Sequence, residues 1–511
     1  MTRTLPTADT AAKIKALAPY LVMFGIALAV RIAHQIIMSR NDPMYGFLMQ
    51  GGDNHTYDRW ALEIAQTFWL GWDRIPFLHG PLYPYFLGLV YLRFGYSAGA
   101  AAWTQRFLGA FTVVLIFYLA RRIFGKRAGW CAGIGAAFCP LFLLYEGEIL
   151  VETLVLFVHV AALCVFVAAA RMKTRRWWLL CGVALGICSL GRPNAILFIP
   201  VAAAWAAWIA PGTIRQRLVA ACLVVAAAAA MIAPATFVNT FVGGRFHLVT
   251  HSGGVNLYIG NAPDASGVYF RPPSLQAIRE EEGKHEYEID WRGYLWQLAT
   301  EEPGAIARNL LLKTKLFWQS GELPHNINFY LKQPYSPFLR SPFRWGLIAP
   351  LGLIGIFLSM KRHPLSRADD PRALLLAFFV LYMGSIVLVF VLSRLRLPAL
   401  AVLFIFSGYA VSWFMEKVAA AWRARRLRPE ILHAAAAVIL CALLALALHS
   451  RDNPLLIRWN DYYNLGSAYE ATGMRDKALE QYERGLEQTP EHPTLLHAAN
   501  EIRGQNRTEN E

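Results

Sequence analysis

Asp53 lies in the polar stretch at residues 51–57, between the first long apolar run and an aromatic-rich amphipathic segment. An acid placed where a chain leaves a bilayer sits at the water boundary, where it stays ionised and meets both lipid-borne and water-borne reactants. Such a carboxylate suits a general base, and we take Asp53 as the candidate catalytic residue. The alternative interpretation is that Asp53 only caps a helix that begins near Tyr57.

Arg394 and Arg396 stand two residues apart at the outer edge of a predicted membrane span. Arginine on that side opposes the positive-inside bias and costs free energy unless it meets an anion, and its planar fork suits phosphate. We therefore expect Arg394 and Arg396, together with Arg192 in another outer turn, to bind a phosphate group. The alternative is that Arg394 and Arg396 reach lipid headgroups or pair with nearby acids.

Further polar and aromatic residues are expected on the same side of the membrane, where they would orient the reacting groups. These candidates are Asp58, His79, Tyr83, Glu148 and Glu152. Glu152 starts a predicted span, so its alternative role is to cap that helix. No cofactor is expected. A divalent metal held by His55, His79 and Asp53 is kept as an alternative, although no tight ligand spacing supports it.

The composition indicates that these residues are positioned by membrane helices. Of the 511 residues, 56% are hydrophobic and 16% are charged, which is the profile of a polytopic membrane protein. The net charge of +15 comes from short basic clusters between apolar runs, as in cytoplasmic loops, and so does not indicate nucleic-acid binding. All seven cysteines lie in apolar runs, which argues against a disulfide framework or a cysteine metal site.

The pattern of apolar runs predicts an all-α protein with about eleven transmembrane helices and additional interfacial helices near residues 60–72 and 79–94. Basic residues before the first span place the N-terminus in the cytoplasm, and an odd number of spans places the C-terminus outside. We divide the chain into a membrane module at residues 1–238 with the Asp53 loop at 39–102, and an external domain of α/β or mixed structure at 239–342. A second group of membrane helices follows at 343–450, and an external tail at 451–511.

The tail has the spacing of small and large residues that is typical of one tetratricopeptide helix-turn-helix unit. Its small positions are Gly466, Gly473 and Ala478, and the large residues that pack across them include Tyr482 and Leu486. One repeat cannot bury its own apolar face, so we expect the tail to pack on the membrane domain or on a protein partner.

Several segments in the same order resemble the GT-C membrane glycosyltransferases of the protein O-mannosyltransferase and lipid A aminoarabinose transferase type (glycosyltransferase family 39-like), over roughly residues 16–415. The segments that carry the resemblance are 52–61, 80–84, 105–125, 148–152, 191–194, 253–261 and 394–398. Here Asn54 follows Asp53, whereas eukaryotic O-mannosyltransferases carry an adjacent Asp-Glu pair. The chain also lacks their central domain, which puts a protein acceptor in doubt.

The resemblance implies a polyprenyl-phosphate sugar as donor and a transfer that inverts the anomeric carbon. Asp53 would deprotonate the acceptor hydroxyl, the arginines would hold the leaving phosphate, and Glu152 would orient the acceptor or the donor. We therefore expect a multi-pass protein of the bacterial inner membrane that glycosylates an envelope glycan, lipid or protein on the periplasmic face. The alternatives are a lipid-linked oligosaccharide ligase or polymerase, a lipid or sugar transporter, and a non-catalytic scaffold.

Overall fold

The computed structural model describes residues 8–49, 52–67, 76–362, 369–424 and 456–508, with a few isolated positions between 432 and 443. The described chain is built from helices, turns and loops, and it contains no β-strand. In chain order the helices are α1 (Ala8–Asn41), α2 (Asp53–Thr67), α3 (Leu82–Phe94), α4 (Ala98–Phe124), α5 (Lys126–Ala137), α6 (Pro140–Tyr145), α7 (Glu152–Met172), α8 (Arg175–Gly191), α9 (Phe198–Ile209), α10 (Ile214–Phe237), α11 (Gly253–Asn261), α12 (Pro273–Glu282), α13 (Trp291–Glu301), α14 (Pro303–Trp318), α15 (Phe329–Lys332), α16 (Trp345–Arg362), α17 (Pro371–Val387), α18 (Leu397–Ala424), α19 (Trp459–Ala471), α20 (Arg475–Gln488) and α21 (Pro493–Thr508).

Six of the described helices are long and apolar enough to cross a membrane, which confirms the prediction of a polytopic all-α protein. They are Lys15–Asn41, Ala98–Phe124, Glu152–Met172, Ile214–Val242, Trp345–Arg362 and Ser393–Arg423. Two shorter apolar helices, Pro193–Ile209 and Pro371–Val387, lie between them. The eleventh span predicted from the sequence falls largely outside the described residues.

Two expectations about local structure need correction. The apolar run at about residues 128–145 is predicted as the third span, but it is broken into α5 and α6. The chain leaves helical geometry at Cys139 and restarts with Pro140, which has no backbone N–H to continue the helix. The external segment at residues 239–342 was expected to include strands. Its described residues instead form short helices separated by turns, so the α/β or mixed description is wrong for them.

The core of the bundle lies around α18, which packs against α16, α5 and α4. Residues 399–406 on this helix are all buried. Close packing depends on glycine, since a Cβ at Gly355 of α16 would collide with the carbonyl of Phe406, and one at Gly408 would collide with the carbonyl of Ala128. The most enclosed helix therefore also fixes the position of the arginine-bearing turn that precedes it.

One end of the bundle collects the polar residues, and we call it the site end. There α2 and α7 begin, α8 ends at Gly191, and the short helical turn Ser393–Arg396 leads into α18. We call residues 456–508, which include helices α19 to α21, the C-terminal unit. This unit contacts the site end through residues 44–47 and through residues 325–335 of the external segment. The first helix of the C-terminal unit thus lies against residues that precede Asp53 in the chain.

Candidate active site

Four chain segments bring charged side chains together at the site end. Asp53 is the first residue of α2 and Glu152 is the first residue of α7. Arg192 follows the last residue of α8, and Arg394 lies in the turn before α18. A helix N-terminus carries partial positive charge, so both carboxylates occupy positions that stabilise their ionised forms.

The four side chains form one continuous chain of ion pairs. Arg394 Nη1 donates to Asp53 Oδ2 over 2.9 Å and to Glu152 Oε1 over 3.3 Å. Arg192 Nη2 donates to the same Glu152 oxygen over 2.7 Å. The negative charges of two carboxylates therefore balance the positive charges of two guanidinium groups, and Glu152 contacts both guanidinium groups.

Exposure separates the roles of the two acids. The side chain of Glu152 is 0% exposed and that of Asp53 is 19% exposed. A carboxylate enclosed by two arginines suits the positioning of cations, whereas a carboxylate open on one side can meet an incoming hydroxyl group. One carboxylate oxygen of Asp53 contacts Arg394 and the other lies 3.9 Å from His79 Nε2, so the side chain has partners beyond its place at the start of α2.

The surroundings of Asp53 keep it ionised. Burial raises the pKa of this carboxyl, but the positive charge of Arg394 and the side-chain amide of Asn326 lower it, as do His79 and His325 when they are protonated, and these effects together outweigh burial. The pKa of Asp53 is consequently held well below its ordinary value.

His79 forms the wall of the site beside Asp53. Burial lowers the pKa of His79, and although Asp53 opposes this effect, the charge of Arg394 adds to it, so the imidazole is neutral at neutral pH. Its ring lies 5.2 Å from the ring of Tyr57, which in turn lies 5.1 Å from the ring of Tyr83. The contact between His79 and Asp53 is therefore one between a neutral ring and a carboxylate.

His325 and Asn326 belong to the site but were not among the residues selected from the sequence. Both act on Asp53 from the loop that follows α14, more than 270 positions away in the chain. Burial and the charge of Arg394 hold the pKa of His325 well below its ordinary value, so this ring is also neutral. The only sequence signal was a short Pro-His-Asn run in the external segment, which has no distinctive spacing.

The site has polar capacity beyond its own ion pairs. Arg192 Nε, Arg394 Nε and Glu152 Oε2 are buried and have no hydrogen-bond partner among the described residues. Buried polar groups are ordinarily satisfied, so the two unused donors, on guanidinium groups that share Glu152 Oε1, fit an anion with several acceptor oxygens.

Asp58 and Tyr83 lie on the flank of the cluster rather than in it. Five residues along α2 turn Asp58 to a different face from Asp53. Asp58 there accepts hydrogen bonds from Tyr91 (2.5 Å) and Tyr96 (3.0 Å). The hydroxyl of Tyr83 donates to Gln105 over 2.9 Å, while its ring supports Tyr57.

Glu148 is engaged in a second, separate network. Lys332 Nζ lies 2.8 Å from Glu148 and 2.7 Å from Asp42, and all three residues are buried. This network ties the end of α1 to the loop before α7 and to α15. It places Glu148 in a structural contact, next to the main site but without an ion pair to it.

Arg396 points away from Arg394, because residues two apart in a turn with three residues per turn face different directions. It is buried, donates to Glu322 over 2.9 Å, and stacks 4.6 Å from the ring of Trp345. Its remaining bonds go to the Ser393 hydroxyl and to the carbonyls of Phe317, Gln319 and Gly321. The structure thus brings together five of the nine residues selected from the sequence: Asp53, His79, Glu152, Arg192 and Arg394.

Metal ligation was kept as an alternative for His55, His79 and Asp53. Within the described residues, no group of three or more His, Cys, Asp and Glu side chains is arranged to hold a metal ion.

Comparison with known proteins gives the setting for this geometry. Residues 78–237 match the family model described as dolichyl-phosphate-mannose-protein mannosyltransferase. No curated protein sequence matches the chain significantly. Among solved structures, the Archaeoglobus fulgidus oligosaccharyltransferase tethered to an acceptor peptide aligns with a TM-score of 0.50 and 18% identity, covering 93% of this chain and 59% of that one.

The chain therefore spans about three fifths of the archaeal oligosaccharyltransferase that it matches, as the 59% coverage states. ArnT from Cupriavidus metallidurans bound to undecaprenyl phosphate aligns with a TM-score of 0.44 and 16% identity, covering 93% of this chain and 78% of that one. The resemblance expected from the sequence is thus confirmed: the chain has the GT-C architecture, and its residues 78–237 are similar to the mannosyltransferases of the protein O-mannosyltransferase type.

Proposed function

We propose that this protein transfers a sugar from a polyprenyl-phosphate carrier to a hydroxyl group of an envelope glycan, lipid or protein. The observation that carries the proposal is the position of Arg394, which bridges the exposed acid Asp53 and the buried acid Glu152. One side of this cluster can take a proton while the other presents two arginines to an anion. The similarity of residues 78–237 to a family described by a dolichyl-phosphate sugar supports a donor of this class.

Asp53 acts as the general base. The acceptor oxygen attacks the anomeric carbon as its proton passes to the carboxylate, and the new glycosidic bond forms while the bond between the sugar and the phosphate oxygen breaks. The polyprenyl phosphate leaves with that electron pair. A single displacement of this kind inverts the anomeric carbon.

Arg394 and Arg192 stabilise the leaving phosphate, whose negative charge grows as the sugar departs. Their unused Nε donors are available for phosphate oxygens without any rupture of the bonds to Glu152. Glu152 keeps the two cations close together and is in our proposal a positioning residue. Arg396 is left out of the phosphate site because its bonds go to Glu322 and to backbone carbonyls.

Arg394 also couples donor binding to the strength of the base. In the described state its charge holds the pKa of Asp53 low, which makes the carboxylate a weak base. A phosphate that shares the guanidinium weakens this effect, so the proton affinity of Asp53 rises when the donor is in place. The pKa of Asp53 therefore rises only when the donor is bound, and the carboxylate stays unprotonated in the enzyme without donor.

The same geometry bears on the side of the membrane. Lys13 and Lys15 lie at the N-terminal end of the first candidate span, and the site lies beyond its far end, so the positive-inside rule supports a site outside the cytoplasm. We propose that transfer occurs on the periplasmic face of a bacterial inner membrane.

The test is mass spectrometry of the polyprenyl-phosphate pool and of envelope glycans in cells that carry the wild-type protein, a deletion or Asp53→Asn. We expect one sugar-charged carrier to accumulate, and one glycan to lose that sugar, in both altered strains. A deletion that alters the pools while Asp53→Asn behaves as wild type would reject Asp53 as the base and favour a transporter.

A further inference from the structure

The C-terminal unit, residues 456–508, contacts the site end at the segment that carries His325 and Asn326. Arg458 Nη2 donates to the carbonyl oxygen of His325 over 3.1 Å. Three residues further along that loop, the amide of Asn328 donates to the carbonyl of Leu456 over 2.8 Å and to Asp461 Oδ2 over 2.9 Å. Three bonds therefore join the start of the unit to the loop that faces Asp53.

These bonds are enclosed rather than superficial. Asn328 and Asp461 are buried, and the side chain of Arg458 is 15% exposed. Asp461 also accepts from the backbone N–H of Arg458 over 2.8 Å, so one carboxylate holds both the first turn of α19 and the loop. Hydrogen bonds to charged groups are stronger than those between neutral groups, so these bonds hold the loop in one conformation.

A second contact holds the opposite side of the site. Leu465 and Ala468 on α19 pack against Met44, and Phe47 lines the same apolar cluster. Asn54, the residue that follows the candidate base Asp53, donates from its side chain to the carbonyl of Phe47 over 3.3 Å. The helix α19 therefore contacts two segments: residues 44–47, which precede Asp53 in the chain, and residues 325–335 of the external segment.

We propose that the C-terminal unit is a structural part of the active site, in which Arg458 holds the loop of His325 and Asn326 in place. The same loop is joined to the turn that carries Arg394, because the backbone N–H of Leu323 donates to the Ser393 hydroxyl over 2.7 Å. The inference rests on the proposed role of Asp53 as base and adds a residue 405 positions away to the machinery that supports it. Arg458 is a positioning residue, since it touches the backbone of the loop and not the reacting groups.

The mechanism predicts a specific change rather than a general loss. When Arg458 is removed, the loop loses one anchor, and His325 and Asn326 are no longer held in a fixed position. Misplacement of a supporting group by about 1 Å can lower the rate about 100-fold, whereas donor binding through Arg394 and Arg192 is unaffected.

The experiment compares Arg458→Gln, Arg458→Lys and the control Arg484→Gln in the full-length protein in detergent or nanodiscs. Arg484 lies in the same unit, but its side chain is 51% exposed and pairs with Glu480 on its own helix. For Arg458→Gln we expect kcat to fall about 10-fold or more with the donor KM within about twofold. Arg458→Lys keeps the charge and should recover part of the rate, and Arg484→Gln should match the wild type.

Hydrogen exchange of residues 320–335 provides a readout that needs no catalysis. We expect faster exchange there in Arg458→Gln and unchanged exchange in Arg484→Gln. Wild-type exchange together with a wild-type kcat in Arg458→Gln would overturn the inference. If the wild-type protein transfers no sugar, the proposed function fails, while the exchange result still decides whether Arg458 holds the loop.

Discussion

Arg394 Nη1 donates to Asp53 Oδ2 over 2.9 Å, although the two residues are 341 positions apart in the chain. The contact joins the start of α2 to the turn before α18, the most enclosed helix of the bundle. A base and a cation are thereby fixed by different parts of a rigid scaffold. The distance between them does not depend on the folding of a single loop.

Asp53→Asn removes the proton acceptor but keeps the shape of the side chain. We expect kcat to fall by a factor of about 100–10,000, the usual contribution of a general base. Transfer of a labelled sugar by purified protein measures this loss. Asp290→Asn, in the external segment where the carboxylate is 63% exposed and pairs with Arg292, should leave the rate unchanged. Full activity of Asp53→Asn would disprove the assignment.

Arg394→Lys keeps a positive charge but loses the fork that can contact two acceptors at once. We expect weaker binding of polyprenyl phosphate by a factor of about 10–100, equivalent to one or two charge-assisted hydrogen bonds. Competition by polyprenyl phosphate against the sugar-charged donor measures this affinity. The matched change Arg292→Lys, at an arginine that is 91% exposed, should have no effect. Equal inhibition in both variants would place the phosphate elsewhere.

The pH dependence follows from the lowered pKa of Asp53. A carboxyl with a depressed pKa stays ionised until the pH falls through that lowered value, so Asp53 should impose no acid limb on kcat/KM between pH 5 and 8. In Arg394→Gln the main stabilising charge is lost and burial is no longer outweighed. An acid limb should then appear between pH 5 and 8, because burial raises the pKa of Asp53 unopposed. A profile that stays flat in this range would mean that Arg394 does not control the protonation of Asp53.

Glu152→Gln leaves Arg192 and Arg394 close together without their shared acid. Breaking a buried ion pair from one side costs about 3–5 kcal/mol, so we expect the free energy of unfolding in detergent to fall by about that amount. The double variant Glu152→Gln with Arg192→Gln should lose less than the sum of the two single losses, because it removes both charges. Additive losses would show that the pair is not energetically coupled.

Gly260→Ala tests a close backbone approach that supports the external segment. A Cβ at Gly260 would collide with the carbonyl of Val389, whereas a Cβ at Gly253, on the same helix α11, meets nothing within 4 Å. We expect Gly260→Ala to lower the melting temperature or prevent folding, since overpacking costs about 1–3 kcal/mol or more. Gly253→Ala should melt as the wild type does. Indistinguishable melting of the two variants would contradict the packing described for Val389.

The sequence predicted which side of the bundle holds the polar residues, because counting spans assigns each loop to a side. This sufficed to group Asp53, His79, Glu152, Arg192 and Arg394. The count of spans could not show that Arg394 rather than Arg396, and Asp53 rather than Asp58, belongs to the cluster. It assigns a residue to one side of the membrane, but it gives neither the lateral position of the residue nor the direction of its side chain. Those two distinctions depend on the local turn geometry of residues 393–396 and on the phase of α2.

His325 and Asn326 escaped prediction for a related reason. A loop residue reaches its site through the packing of distant elements, here α14 and α19, and no periodic pattern records that packing. The membrane spans were easier to predict, because burial in lipid requires a length and an apolar composition that can be read directly from the sequence. The tetratricopeptide assignment of the tail stays a prediction. The contact of Gly466 with Tyr482 between α19 and α20 agrees with the close approach of two helices.

The buried network of Asp42, Lys332 and Glu148 has a consequence for how the protein is made. Lys332 is synthesised 184 residues after Glu148 and 290 after Asp42. At a translation rate of about 5–20 residues per second, the two acids wait about 10–60 seconds for their partner. We expect the first seven helices to remain loosely assembled during this interval, with their acids still hydrated. A chain interrupted before residue 332 should accordingly be recognised and degraded by membrane proteases, because its carboxylates have no cation to bury them against.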